Sequence, residues 1–353
     1  MASESQNRGL VKVGKGQAVV TDVPVPSLQD DYLLVRTIAV ALNPADWQNL
    51  DEDFVPEIKP MLNGHDAAGI IEAVGKNVTS RLKKGDRIMC AGYGVNVTDP
   101  EDGVFAEHIR VRGDISIRIP AHMSMTDAAT MPVGLVTVAL GLYKYLGLPF
   151  PPATAPSSTW LFVYGGSSAT GTLAIQFAKL SGLKVVTTCS PRNFDLVKSL
   201  GADAVYDYRD PDCAAKIRSL TSDDLTLVFD TIATTATAKV SAEAMSSGKG
   251  GIYCNLMGVD APRDDVKSVF YLGYSAMGRA YMFEGEEWPY APDDYELAKR
   301  FAVVVEGLLE QRLIKPHPKT VRPGGLEAIP AGMQDLKDGK ISGEKLVYVI
   351  GEE

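Results

Sequence analysis

Residues 161–180, LFVYGGSSATGTLAIQFAKL, decide how this chain folds. The run Leu161-Phe162-Val163-Tyr164 has the length and composition of a buried strand. Small residues follow, from Gly165 through Gly171, and residues 172–180 continue as an apolar-rich helix. Strand, glycine-rich turn and helix form the context of a dinucleotide fingerprint. The N-terminus of such a helix leaves backbone N–H groups unpaired and carries partial positive charge, so it suits a pyrophosphate. Read as G-x-G-x-x-G, the three positions are Gly166, Ser168 and Gly171. The middle glycine ordinarily lets phosphate approach the backbone, and here it is serine. Either the pyrophosphate sits further out, or the hydroxyls of Ser167, Ser168 and Thr170 donate to it, beside Ala169. The plain alternative is an ordinary turn before an ordinary helix.

Residues 183–189, LKVVTTC, read as a second strand. An NAD enzyme would place Asp or Glu after it to hold the ribose 2′-hydroxyl. This chain has Ser190-Pro191-Arg192-Asn193 instead. An acid would repel a 2′-phosphate, whereas Ser, Arg and Asn can donate to one. The expected cofactor is therefore NADPH.

The chain has 353 residues, enough for two domains, with 45% hydrophobic and 22% charged residues. A net charge of −9 argues against a nucleic-acid groove or an anionic membrane surface as partner. The opening MASESQNRGL lacks the apolar core of a signal peptide. No stretch approaches ~18 uninterrupted apolar residues, so no membrane span is expected. Cys90, Cys189, Cys213 and Cys254 are scattered and form no C-x-x-C pair. A reducing, cytoplasmic location is the expectation.

Residues 1–125 read as β-rich, with strands expected at 17–23, 32–41, 69–73, 87–91 and 105–111. Gly and Pro punctuate them closely, which points to a small barrel-like domain. The turn Asn43-Pro44-Ala45-Asp46-Trp47 follows the second strand, with Asn43 held extended by Pro44. Residues 126–146 read as one or two helices broken near Pro132, and 148–159 as an external Pro- and Ser-rich loop. From 160 onward, helices expected at 193–200, 213–220 and 234–245 alternate with strands at 204–208, 225–232 and 251–257. This alternation is the mark of a doubly wound parallel sheet. Residues 281–292, YMFEGEEWPYAP, read as irregular; 294–311 read as an amphipathic helix and 344–350 as a strand returning to the N-terminal domain.

This order resembles the medium-chain dehydrogenase/reductase superfamily over nearly the whole chain. The markers are Asn43-Pro44-Ala45-Asp46, Gly64-His65-Asp66-Ala67-Ala68-Gly69, Lys84-Gly85-Asp86-Arg87, residues 165–179 and Lys198-Ser199-Leu200-Gly201-Ala202. The resemblance implies an α/β fold, with a doubly wound parallel Rossmann sheet inserted in a β-rich GroES-like domain. The expected divisions are 1–130 for the first part of the β-rich domain, 131–290 for the NADP-binding domain, and 291–353 for the return. The zinc alcohol dehydrogenases of that superfamily need a Cys, His and Cys set. Asn43 stands where the first Cys would be, no Cys lies near 134–137, and the four-Cys lobe is missing around 92–103. Zinc needs three or four ligands, so no metal is expected and His65 reads as structural.

Within the superfamily the chain is similar to the trans-acting enoyl reductases of fungal polyketide biosynthesis, the group that includes the lovastatin enoyl reductase. Residues 161–170, 188–196, Tyr206-Asp207-Tyr208-Arg209, Phe283-Glu284-Gly285 with Trp288-Pro289, and 341–347 carry this likeness. It implies that NADPH delivers hydride to the β-carbon of an α,β-unsaturated acyl thioester, and that the enolate is then protonated. The acyl chain would be held by the carrier domain of a polyketide synthase or synthase–peptide synthetase.

By position, Pro44, Ala45, Asp46 and Trp47 should line the nicotinamide end, and Ser167, Ser168, Ala169 and Thr170 the pyrophosphate. Ser190, Arg192, Asn193 and Tyr208 should surround the 2′-phosphate. Asn255, Leu256 and Met257 should close over the nicotinamide, with Glu344 and Lys345 closing the site from the return. Val136, Thr137, Leu140 and Tyr143, with Met282, Phe283, Glu284 and Gly285, should line the substrate channel. Thr137 is expected to position the thioester carbonyl. Tyr143 reads either as its neighbour on the helix or as a core aromatic. Related fatty-acid enoyl thioester reductases carry a tyrosine downstream of the Asn-Pro; the matching position is Phe54, which cannot donate a proton. The proton donor is left open, with solvent as one source.

Lys144 and Arg279 are the expected basic patch for an acidic carrier domain. A monomer is expected, because the Pro- and charge-rich residues 258–265 would block an edge after the strand at 251–257. The competing readings are a free-standing NADPH-dependent quinone or alkenal reductase, and a non-catalytic cofactor-binding partner protein.

Overall fold

The computed structural model describes residues 7–51 and 60–353. Phe54 lies outside them. The chain divides into two units: one takes the described residues up to Val133 together with Tyr274–Glu353, the other takes Gly134–Gly273. Residues 274–290 thus group with the first unit.

The first unit opens with strands β1 (Asn7–Gly14), β2 (Gln17–Val23) and β3 (Tyr32–Ala41) and helix α1 (Pro44–Asp51). Strands β4 (Met61–Leu62), β5 (Asp66–Val74), β6 (Arg87–Ala91), β7 (His108–Arg112) and β8 (Ile117–Arg118) follow, then the short helix α2 (Met125–Ala128). Strand β3, YLLVRTIAVA, is buried along nearly its whole length. Such a run belongs to a strand covered on both faces, and β3 is the hub of its sheet. It pairs antiparallel with β5 and with β7. The core beneath it gathers Leu10, Leu33, Val35, Phe105 and Ile109.

Helix α3 (Pro132–Val138) runs directly into a π-helical turn, Ala139–Tyr145. Gly141 in it is closely packed: a Cβ there would lie 2.5 Å from the Tyr271 hydroxyl and 2.8 Å from Phe229. By length and hydropathy Met125–Tyr145 could cross a membrane, which the sequence reading did not expect, but 78% of that window is buried within the protein. It is packed as a core helix.

The second unit then alternates regularly. Its strands are β9 (Trp160–Tyr164), β10 (Lys184–Cys189), β11 (Ala204–Asp207), β12 (Leu227–Asp230), β13 (Gly251–Asn255) and β14 (Val266–Phe270). Its helices are α4 (Ala169–Leu180), α5 (Phe194–Ser199), α6 (Cys213–Leu220) and α7 (Thr235–Ala244). The strands form one sheet in the order β11-β10-β9-β12-β13-β14. Every pairing in it is parallel. Strand order reverses between β9 and β12, the switch point at which doubly wound sheets bind ligands beyond the strand carboxyl ends.

The chain returns through β15 (Tyr281–Phe283), β16 (Glu286–Trp288), α8 (Pro292–Glu310), β17 (Lys319–Arg322), α9 (Gly325–Lys337) and β18 (Lys345–Val349). Strand β18 inserts between β17 and β3, so the return strand completes the first unit's sheet.

Two expectations need correction. Residues 281–288 are not irregular: β15 and β16 form a hairpin whose two central residues, Glu284 and Gly285, both have positive φ, at 51° and 79°. That is the geometry of a two-residue primed turn. Residues 258–265 do not end the sheet either, because β14 follows them and pairs with β13 as the edge strand. The expected monomer loses that basis.

Candidate functional site

In the second unit the turn after β9 is built by three glycines and a cap. Gly165 adopts φ 78°, a conformation open to glycine at little cost. A Cβ on Gly171 would sit 2.3 Å from the Gly165 carbonyl, so only glycine lets α4 approach β9 this closely. Ser168 is the N-cap of α4: its hydroxyl accepts from Gly171 N at 2.9 Å and lies 2.8 Å from the Thr231 hydroxyl. Thr231 spends its own hydrogen on the carbonyls of Tyr164 and Gly165. The Ser168 hydrogen is therefore directed to Thr231, and this serine caps the helix where a phosphate contact was expected. The first-turn N–H groups of Ala169 and Thr170 lie outside the ladder of α4, as at any helix start, and both residues are half-buried beside Ser167.

Asn193 Nδ2 donates to the Ser167 hydroxyl at 3.1 Å, tying the loop after β10 to the fingerprint turn. The register Cys189↔Asp207 brings Ser190 and Tyr208 to the same carboxyl edge. Arg192 is exposed in the 3-10 turn Pro191–Asn193. The acid on this edge is Asp207, whose carboxylate is held below its usual range by hydrogen bonds from Arg209. Glycine turn and helix start together fit a nicotinamide dinucleotide.

Asn255 is buried and organises the turn after β13. It donates to the Val259 and Val269 carbonyls and accepts from Met257 N and Val259 N. Leu256 is half-buried and Met257 is exposed. Val136 is half-buried, Leu140 fully buried, and Thr137 9% exposed with its carbonyl accepting from the Tyr271 hydroxyl at 2.6 Å. Tyr143 packs on Phe150 at 4.9 Å, and its hydroxyl lies 3.4 Å from that of Ser181. Tyr143 is half-buried.

In the first unit, Pro44 starts α1 and Asp46 reaches back to accept from Asn43 N at 2.6 Å, half of a capping box. Pro44 is exposed and Ala45 and Trp47 are half-buried. Asp46 is fully buried, and its other oxygen binds His65 Nδ1 at 2.6 Å. The Nε2 atom of His65 lies 2.9 Å from the Tyr274 hydroxyl. Asn49 Nδ2 donates to that hydroxyl at 3.1 Å and to the Gly94 carbonyl at 3.0 Å. Asp46, His65 and Tyr274 thus form one hydrogen-bonded line. Burial pushes the Tyr274 phenol above its ordinary range; the Asn49 hydrogen bond opposes this and the Asp46 charge adds to it.

Next to this line, Asp66 accepts from Asn43 Nδ2 at 2.8 Å, from Val133 N at 2.7 Å and from Lys345 Nζ. Lys345 is itself buried, and Glu344 accepts from Thr320 at 2.7 Å. Both return residues therefore act through protein contacts. Met282 and Phe283 are half-buried on the hairpin, and Glu284 and Gly285 form its exposed turn. Arg279 is not a free cation: it pairs with Asp99 at 3.1 Å and with Asp102, which removes it from the expected basic patch. Lys144 is exposed, with its ammonium over the Tyr145 ring.

Zinc does not fit. His65 is committed to Asp46 and Tyr274, and among the described residues no group of three or more His, Cys, Asp or Glu side chains is arranged to hold a metal ion. All four cysteines are buried free thiols. Tyr274 and Thr231 were missed in the sequence. Neither sits in a local motif, and Tyr274 meets His65 across 209 positions.

The paired architecture and the glycine turn define the class: a medium-chain dehydrogenase/reductase, which uses a nicotinamide cofactor. Residues 29–121 match the family model described as the alcohol dehydrogenase GroES-like domain, and residues 169–285 that described as zinc-binding dehydrogenase. The chain is 45% identical to the trans-enoyl reductase ACTTS2 of Alternaria alternata, over 97% of this chain and 98% of that one. It is 38% identical to the trans-enoyl reductase resD of Aspergillus sclerotiorum, over 97% and 100%. A solved alcohol dehydrogenase superfamily protein from Novosphingobium aromaticivorans shares the fold, with a TM-score of 0.80 at 18% identity, covering 98% of this chain and 100% of that one. The chain belongs to the trans-enoyl reductases.

Proposed function

We propose that this chain is a cytoplasmic, NADPH-dependent trans-acting enoyl reductase that reduces the α,β-unsaturated acyl thioester of a polyketide held on the carrier domain of a partner synthase. The 45% identity to a trans-enoyl reductase along almost the full chain carries the reading. NADPH, when bound, supplies the hydride. The start of α4, with Ser167 and Thr170, holds the pyrophosphate, and Asn193 keeps Ser167 oriented. Ser190, Arg192 and Tyr208 receive the 2′-phosphate. Asn255 holds the turn that carries Leu256 and Met257 against the nicotinamide. Thr137 positions the thioester carbonyl, and Lys345 supports the Asn43–Trp47 turn through Asp66 and Asn43.

The test is reduction of an enoyl thioester by NADPH, first on a pantetheine analogue and then on the carrier domain of the synthase. Turnover of both is expected. Reduction of small quinones or alkenals alone would move the assignment to a free-standing reductase. No NADPH oxidation with any activated alkene would leave a non-catalytic binding protein.

Cofactor choice has its own test. Arg192→Ala should weaken NADPH binding about tenfold, the scale of one charge-assisted hydrogen bond, and leave NADH binding unchanged. Titration of both cofactors against wild type and variant measures it. Equal affinity of the wild type for NADH and NADPH would overturn the preference.

A further inference from the structure

A hydride added to the β-carbon leaves an enolate, and the α-carbon needs a proton from somewhere. Among the described residues of the first unit, the Tyr274 hydroxyl is connected to a buried acid through a histidine. Asp46 Oδ1 binds His65 Nδ1 at 2.6 Å, and His65 Nε2 meets the Tyr274 hydroxyl at 2.9 Å. Because a carboxylate only accepts, Nδ1 carries a hydrogen and Nε2 is the atom that exchanges with the phenol.

Tyr274 is also fixed in place. Its ring stacks on Tyr93 at 3.6 Å between centroids and meets Tyr281 edge-on at 5.8 Å. Asn49 holds the hydroxyl from a further side. The ring lies 6.5 Å from that of Phe283, a residue assigned to the substrate channel, while Asp46 lies in the turn assigned to the nicotinamide. A purely structural tyrosine needs neither a histidine nor a buried carboxylate behind it.

We propose that Tyr274 is the proton donor to the substrate α-carbon, resupplied by His65, with Asp46 balancing the charge on the imidazole. This rests on the enoyl-reductase reading above. In the step, the enolate electron pair forms the new Cα–H bond. The Tyr274 O–H bond breaks and its pair stays on the phenolate oxygen. That oxygen takes the Nε2 proton of the His65 imidazolium, whose bonding pair returns to the ring. Asp46 keeps accepting from Nδ1, and water returns one proton to His65 before the next turnover. Burial keeps the phenol protonated between turnovers, as a donor requires. Tyr274 is then a catalytic residue, and His65 and Asp46 are positioning and supply residues.

The test follows reduction of an enoyl pantetheine thioester by NADPH in D2O. Wild type should place solvent deuterium on one face of the α-carbon, because a fixed donor delivers from one side. Tyr274→Phe should lower kcat about 100- to 1,000-fold, the usual weight of a general acid. Its KM, its NADPH affinity and its unfolding midpoint should stay close to wild type, and its residual product should carry deuterium on both faces. His65→Gln should lower kcat by a smaller factor while keeping one-faced delivery, since the phenol remains. A Tyr274→Phe enzyme within threefold of wild-type kcat, with one-faced deuterium, would overturn the relay and leave the enoyl-reductase reading standing. If the phenylalanine variant does not fold, wild-type stereochemistry decides: deuterium on both faces overturns the fixed donor, and one face with slowed His65→Gln supports it. A wild type inactive on every enoyl thioester overturns the underlying reading, and the relay with it.

Discussion

Asp66→Ala is expected to destabilise the first unit by about 3–5 kcal/mol, the range for breaking a buried ion pair by removing one partner. Asp66 is fully buried and Lys345 is 5% exposed. The carboxylate accepts from three donors: the Asn43 side chain, Val133 N and the Lys345 ammonium. Alanine would leave that ammonium inside the sheet without its counter-charge. It would also release the turn that carries Asp46. The loss lies on β18 and at the start of β5, both of which pair with β3. Guanidinium unfolding of wild type and variant measures it. Asp66→Asn should lose less, because the amide oxygen still accepts. Asp66→Ala with Lys345→Met should regain much of the loss, since a buried pair exchanged for apolar groups is often neutral. A single-variant loss under about 1 kcal/mol would show that water reaches the pair.

The second large effect is acid lability centred on His317. This residue is 2% exposed, and its pKa is pushed down to about 3 by burial first and by the Lys345 charge second. The sign follows from linkage. Between about pH 6.5 and about 3 the unfolded chain binds a proton at this histidine that the folded chain does not, so stability falls as pH falls through that window. The slope is about 1.4 kcal/mol per pH unit, so moving from pH 7 to pH 5 should remove about 2 kcal/mol through this group. Carboxylates add their own dependence in acid. The measurement is therefore the difference between wild type and His317→Gln, each unfolded at pH 7 and pH 5. Identical slopes in the two proteins would contradict the assignment.

Most of the fold was legible because its signals are local. The run from Leu161 to Leu180 contains its own strand, turn and helix, and β2, β3, β6 and α6 have the bounds that periodicity and turn residues suggest. What failed depended on partners. Glu284-Gly285 was hidden because glutamate seldom takes φ above zero, and only the paired strands make it do so here. Strand β14 is only five residues long and follows a charge-rich loop, and its pairing with β13 is what makes it a strand. The site divides in the same way. Ser168 was noticed for its place in the glycine pattern, but its task as helix cap depends on Thr231, 63 positions on. Lys345 was expected to close the site from the return, and its charge is spent inside the protein on Asp66. His65 was read as structural because the sequence offers it no ligand partners. Its actual partners, Asp46 and Tyr274, come from the two separate stretches of sequence that make up the first unit.

The insertion of β18 between β17 and β3 bears on how the protein is made. Synthesis is vectorial, at roughly 5–20 residues per second, and domains fold as units once their residues emerge. Residues 134–273 form a continuous unit that is fully emerged before residue 345 is added. The β-rich unit has no such early completion. Until β18 arrives, Ala39, Val40 and Ala41 at the end of β3 lack a partner strand on one side, and Asp66 stands in a nascent sheet without its lysine. The nascent chain therefore carries a finished nucleotide-binding unit and an unfinished β-rich one with a short open strand end, the kind of edge that chaperones shield and that other chains can pair with. Its closing segment is a folding signal read last.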